Sequence, residues 1–174
     1  PGEVWLPGGF TGDPRYAELL TAAAASGARI RWVGPEGHTR DQDGAQIEAR
    51  WVSAERENDR SLVLRVSCAG TVALLPGDLE VSGQSRLLAT GFSPRCDLLV
   101  APHHGAANAL HRPFLEASRP AVVFVSAGGR PGLPAPEFEA AVQALGARSC
   151  STHRDGCLHT RVGPGGLSTG CGVD

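Results

Sequence analysis

Residues 61–75 read SLVLRVSCAGTVALL, from Ser61 to Leu75. Apolar side chains alternate on both sides of Ala69-Gly70. The pattern predicts two antiparallel strands, Ser61 to Ser67 and Thr71 to Leu75, joined by a tight turn. Upstream, Gln46 to Val52 alternates with Ile47, Ala49 and Trp51 on one face and reads as a further strand. Arg29 to Val33 and the short Val4 to Leu6 read likewise. Pro14 to Ser26 reads as a helix, with Asp13 to cap it, Pro14 suited to its first position and Gly27 to end it. Downstream the pattern becomes strand–helix alternation. Helices are predicted over Glu80–Ala89, Arg112–Ala117 (Pro113 near its start) and Pro136–Leu145, the last stopped by Gly146. Strands are predicted over Asp97–Val100 and Ala121–Val125, the latter an unbroken apolar run suited to a strand buried on both faces. Arg148–Thr152 and Leu158–Val162 flank Asp155-Gly156, a type I′ hairpin signal. Local pairing followed by alternation predicts an α/β fold, a mixed sheet with flanking helices. Residues 1–174 show no internal repeat and no linker long enough to divide them, so a single domain is expected.

Composition narrows the function classes. The 174 residues are 41% hydrophobic and 20% charged, which suits a packed core and excludes wholesale disorder. There are 23 Gly and 13 Pro, about a fifth of the chain against a usual share of about an eighth, which favours turns over a helical bundle. Net charge is −2, so no global basic footprint marks a nucleic-acid binder. Three Trp, one Tyr and five Phe are too few to suggest a base-stacking platform. Apolar runs such as Ala121 to Val125 are far too short to cross a bilayer. All 16 basic residues are Arg and there is no Met; a chain that continues upstream of Pro1 is expected. The five Cys (Cys68, Cys96, Cys150, Cys157 and Cys171) are an odd number and do not form a disulfide framework on spacing. Cys68 and Cys96, beside apolar runs, are expected to be small buried residues.

Two segments place metal-ligating side chains at the carboxyl ends of predicted strands, where α/β sheets gather ligands. One is Leu74-Leu75-Pro76-Gly77-Asp78-Leu79-Glu80, in which Asp78 leaves the strand through a Pro-Gly turn. The other is Pro102-His103-His104-Gly105, following Leu98 to Val100. A carboxylate and imidazoles on adjacent strand tips are the skeleton of a metal site. On spacing alone, Asp78 equally suits a cap for the next helix, and His103-His104 suits a solvated loop pair. Asn58-Asp59-Arg60-Ser61 reads as a turn stabilised by side chain to backbone hydrogen bonds, with a loop flooring the site as the functional alternative. Cys150, His153, Cys157 and His159 have zinc-ligand chemistry. The predicted hairpin opposes that grouping, because Cys150 lies well up one strand from the turn.

Taken in order, NDRSLVLRV (Asn58–Val66), LLPGDLE (Leu74–Glu80), DLLVAPHHGA (Asp97–Ala106), AVVFVSAGG (Ala121–Gly129) and THRDG (Thr152–Gly156) resemble the C-terminal half of a metallo-β-lactamase-like domain. More specifically they resemble the domain that ends the ComEC family of DNA-uptake membrane proteins, whose pattern is N-D-x-S-L-V-L, L-L-T-G-D-x-E, P-H-H-G-S, S-x-G and G-H-P. The resemblance implies an αββα sandwich carrying a divalent-metal (zinc or manganese) hydrolase site of nuclease type. In it Asp78 is the carboxylate ligand, and His103 or His104 is the imidazole ligand or the group facing substrate. Asn58, Asp59 and Ser61 shape the adjoining loop. DNA is the implied partner, together with a membrane channel portion upstream. The implied location is the extracytoplasmic side of a bacterial plasma membrane. Departures are equally definite. The ligand-rich H-x-H-x-D-H motif is absent and is expected before Pro1, so this chain alone is expected to bind metal weakly or not at all. Gly132-Leu133-Pro134 has Leu where the family has His. Pro76, Ala106 and Val100 replace the usual Thr, Ser and Lys. A catalytically degenerate scaffold of the same fold, or a stand-alone soluble metallo-hydrolase, are the alternatives.

Overall fold

The computed structural model describes residues 2–10, 12–53, 58–163 and 166–171. Its centre is a seven-stranded mixed sheet in spatial order β3 (His38–Gln42), β4 (Ala45–Arg50), β5 (Val63–Cys68), β6 (Thr71–Leu75), β7 (Leu98–Val100), β8 (Val122–Val125) and β9 (Arg148–Ser151). Pairing is antiparallel from β3 to β6 and parallel from β6 to β9. The switch falls where the sequence turns from a hairpin to strand–helix units, because a parallel neighbour requires a crossover. The crossovers contain α2 (Val81–Ala89), α3 (Arg112–Ser118) and α4 (Pro136–Ala144). A parallel pair, β1 (Glu3–Pro7) with β2 (Arg29–Val33), and an antiparallel pair, β10 (Leu158–Gly163) with β11 (Gly166–Cys171), form two small sheets.

Strand parity fixes the layers. Val63, Leu74, Leu99, Val123 and Val125 face one side and join Leu87 of α2, Phe114 of α3 and Phe138 and Val142 of α4 in the main core. On the opposite face, Ala49 and Leu64 pack with Trp5 and Val33 of the first small sheet. Ala73, Leu98, Val122, Phe124 and Cys150 on that face pack with Leu158 and Leu167 of the second. Trp32, of opposite parity to Val33, meets Tyr16 edge-on at 6.1 Å between ring centroids. Tyr16 leads into α1 (Ala17–Ala25), which packs on β2. The layers therefore run helices, large sheet, small sheets, α1.

Most predicted elements form within a residue or two of their expected ends. Asp13 caps as expected: its Oδ1 accepts the Arg15 N–H at 2.9 Å, and a 3-10 turn over Pro14–Tyr16 precedes α1. The strand expected over Gln46–Val52 ends at Arg50. The expected hairpin about Asp155-Gly156 does not form. β9 instead pairs in parallel with β8, residues 152–155 coil into a single turn α5 (Thr152–Asp155), and β10 pairs with β11. The Asp155 Oδ2 accepts the Ser151 N–H at 2.7 Å, which closes the α5 turn and directs the chain out of the sheet. The Asp-Gly hairpin lies elsewhere, at Asp43-Gly44 between β3 and β4, where both residues have positive φ (52° and 79°) as a type I′ turn requires. Polar, exposed β3 carries no alternation that would reveal it. Cys96 is buried as expected, whereas Cys68, at the open end of β5, is only half-buried.

Candidate functional site

Because β6 to β9 are parallel, their carboxyl ends share one edge of the sheet. β5 is antiparallel to β6, so the loop that enters β5 reaches the same edge. Asn58–Ser61, Pro76–Glu80, Ala101–Ala106, Ser126–Arg130 and Thr152–Asp155 thus converge there, the geometry in which α/β sheets hold ligands.

The loop into β5 supports the loop after β6. Asn58–Arg60 is a 3-10 turn, and the Ser61 hydroxyl donates to the Asn58 carbonyl at 2.7 Å. The Ser61 Oγ in turn accepts the Asp78 N–H at 3.1 Å. Gly77 is left-handed (φ +62°), and a Cβ there would lie 3.0 Å from the Ser61 Cβ, so the two loops are in close contact. Asp59 is fully buried. Its Oδ1 accepts the Glu80 N–H at 2.8 Å and its Oδ2 accepts the Ser82 hydroxyl. Asp59, reaching across from another loop, thereby satisfies the start of α2, and the residue at the cap position is Glu80. The reading of Asp78 as that helix's cap is overturned. Its carboxylate is about half exposed, with Oδ1 3.8 Å from the His104 Nε2.

The loop after β7 owes its shape to three successive left-handed residues, His103 (φ 45°), His104 (φ 59°) and Gly105 (φ 74°). Side chains disfavour this backbone by about 1–2 kcal/mol per residue; it persists where the surroundings over-determine it. Here the His103 N–H donates to the Gly77 carbonyl at 3.0 Å and the Ala135 N–H donates to the Gly105 carbonyl at 2.9 Å. A Cβ on Gly105 would lie 2.9 Å from the Pro134 Cβ. The left-handed turn splays the two imidazoles, with ring centroids 6.1 Å apart. His104 turns outward to Asp78. His103 turns inward: its Nδ1 is buried without a hydrogen-bond partner and lies 3.7 Å from the Glu80 Oε1. That oxygen accepts the Asn58 Nδ2 at 3.0 Å and the Asn108 Nδ2 at 2.9 Å.

Sequence reasoning overlooked Glu80 and Asn108. Glu80 stands in the Asp-x-Glu stretch already singled out, but Asn108 had no local signal. The loop after β8 figures there only as the S-x-G part of the resemblance, with no site role given to it, and Arg130 beyond it is not singled out. There His104, Ser126, Ala127, Gly128 and Arg130 line a cleft of about 300 Å³. The Thr152 Oγ1 accepts the Ala127 N–H at 3.1 Å and so ties this loop to α5.

A carboxylate and an imidazole 3.8 Å apart can be bridged by one cation at bonds of roughly 2.0–2.2 Å. The pair fits part of a divalent-metal site. Catalytic zinc takes three protein ligands, and among the described residues no three His, Cys, Asp or Glu side chains converge. The second zinc-like set disperses: Cys150 is buried under the β10–β11 sheet, Cys157 is exposed, His153 sits against Gly129 and His159 against Gly170.

The chain is 27% identical over 125 residues to ComE operon protein 3 of Bacillus subtilis, covering 71% of this chain and 16% of that protein. It is 28% identical over 172 residues to Competence protein ComA of Neisseria gonorrhoeae, covering 95% of this chain and 23% of that protein. The chain is thus similar, at low identity, to two proteins named for competence. The chain spans about a fifth of the length of these curated relatives. No family model matches it. Among the described residues no helix is long and apolar enough to cross a membrane.

Proposed function

We propose that this chain is part of a metallo-β-lactamase-like domain of a DNA-uptake protein, in which Asp78 and His104 bind a divalent metal, zinc or manganese, at a phosphodiesterase site acting on DNA. The observation that carries the reading is the approach of the Asp78 Oδ1 to the His104 Nε2, 3.8 Å across two strand tips. The layer order, helices, large sheet, small sheet and α1, suits an αββα sandwich. When bound, the ion would lower the pKa of a coordinated water and stabilise charge on a phosphoryl oxygen. The chain's own residues orient the donors. Ser61 holds the Asp78 backbone, the His103 N–H ties the imidazole turn to Gly77, and Asn58 and Asn108 hold Glu80 beside His103. In this reading the remaining ligands belong to an H-x-H-x-D-H segment outside these 174 residues, in a protein whose channel portion is membrane-embedded and whose domain faces the extracytoplasmic side. The test is Asp78→Asn in the protein that carries this chain. Metal affinity should fall by at least roughly 10–100-fold, the scale seen for losing even a supporting partner. Unchanged zinc and manganese by elemental analysis rejects the ligand role.

A second reading, a non-catalytic scaffold of the same fold, is favoured by Leu133. This side chain stands at the family's His position and packs against the main core. Wild-type protein that binds DNA, holds no metal and leaves the strand uncut would establish it.

A further inference from the structure

The cleft beside His104 contains groups that neither the metal pair nor the loop scaffold uses. Ala127 to Arg130 is a tight turn: the Arg130 N–H donates to the Ala127 carbonyl at 3.1 Å, and Gly128 (φ +55°) and Gly129 (φ +72°) are both left-handed. Gly129 is required twice over, because a Cβ there would also lie 3.1 Å from the His153 Nδ1. The turn brings Arg130 back into the cleft that His104 and Ser126 line. Arg130 is the one charged residue between Ser126 and Ala135. It is exposed and makes no ion pair with any described carboxylate, and among the described residues no carboxylate lines the cleft. The Ala127 and Gly128 N–H groups both donate to the Thr152 Oγ1, and the polar side chains that line the cleft are a guanidinium, a hydroxyl and an imidazole. An unpaired planar guanidinium is matched by a bidentate oxyanion such as phosphate.

We propose that Arg130, with Ser126, is the subsite for a backbone phosphate of single-stranded DNA, one nucleotide step or so from the phosphate facing Asp78 and His104. It sets the register of the strand and reads no base, as phosphate contacts do. The inference rests on the DNA reading above but not on turnover.

The test is fluorescence anisotropy with a labelled oligothymidylate over a salt series, using the protein that carries the full chain. For Arg130→Gln, the slope of log affinity against log salt should fall by roughly 0.7, the value for one single-strand phosphate contact. Arg130→Lys should keep the slope. A single neutral methylphosphonate walked along the strand should weaken wild-type binding at one position and have no further effect on Arg130→Gln. An unchanged slope in Arg130→Gln, or equal methylphosphonate profiles, overturns the subsite. No binding by wild type overturns it as well. Metal content and strand cleavage, measured in parallel, judge the hydrolase reading separately. Arg130-dependent binding without metal leaves the subsite standing while that reading falls; cleavage with an unchanged slope does the reverse.

Discussion

Asp59 is the residue on which the site's floor rests. Both carboxylate oxygens are engaged by the start of α2, and none of its surface is exposed. The Asn58–Ser61 segment is therefore a turn, as its residue types suggest, and it also supports the Asp78 loop. Asp59→Ala leaves the buried Glu80 N–H without its partner, while the exposed Ser82 hydroxyl turns to solvent. The expected loss is about 3 kcal/mol, from hydrogen bonds to a charged group. Urea unfolding should show it as a lower midpoint at an unchanged m-value; a midpoint within experimental error of wild type would remove Asp59 from this role. Residues 58–61 were legible as a group because their types suit turns. The partner of Asp59 was not legible, because it lies across a hairpin.

At the scale of elements, two Asp-Gly pairs had opposite fates. Asp43-Gly44 joins β3 to β4, while Asp155-Gly156 ends α5. The difference is tertiary. β9 has β8 as its partner, so residues beyond Ser151 are free to coil. The Ser151 N–H donated to Asp155, reinforced by Arg154, holds the Asp155 carboxyl below the usual carboxylate range. A carboxylate with a depressed folded-state pKa stabilises above its unfolded value and loses that contribution as pH falls through the folded value. Asp155→Asn should therefore melt lower than wild type near neutrality. The gap in thermal midpoint should narrow below about pH 3.9 and close in stronger acid. A gap independent of pH would show that the charge is not what matters. At the same scale, Gly105→Ala should displace the His103-His104 turn, since the new methyl meets Pro134 in a left-handed backbone. Metal binding by the protein carrying this chain should weaken along with stability; a fully retained metal affinity would show that the turn does not position His104.

For the molecule as a whole, the main core lies between the large sheet and α2, α3 and α4, and Cys96 is part of it. Burial pushes the Cys96 thiol up to about 12, whereas Cys157 is exposed. Since the thiolate is the reactive form, iodoacetamide at pH 8 should label Cys157 in the folded protein and Cys96 only after denaturation. Equal labelling rates would contradict the layering. The helix-covered sheet was readable in the unbroken run Ala121–Val125 and in its alternation with predicted helices. The small sheets were only half readable. β1 and β2 were found as strands, but their pairing with each other and their seat over Ala49 and Leu64 joins residues distant along the chain.

The sequence by itself determined where strands and helices alternate, and that a carboxylate and two imidazoles leave neighbouring strand tips. These are local matters of periodicity, capping and backbone freedom. Tertiary structure alone decided that His104 meets Asp78 while His103 turns inward to Glu80. It also decided that Asp59 rather than Asp78 satisfies α2 and that Arg130 folds back beside His104. Side-chain direction at a left-handed turn depends on what the turn packs against, and that packing is made by segments far apart in the chain.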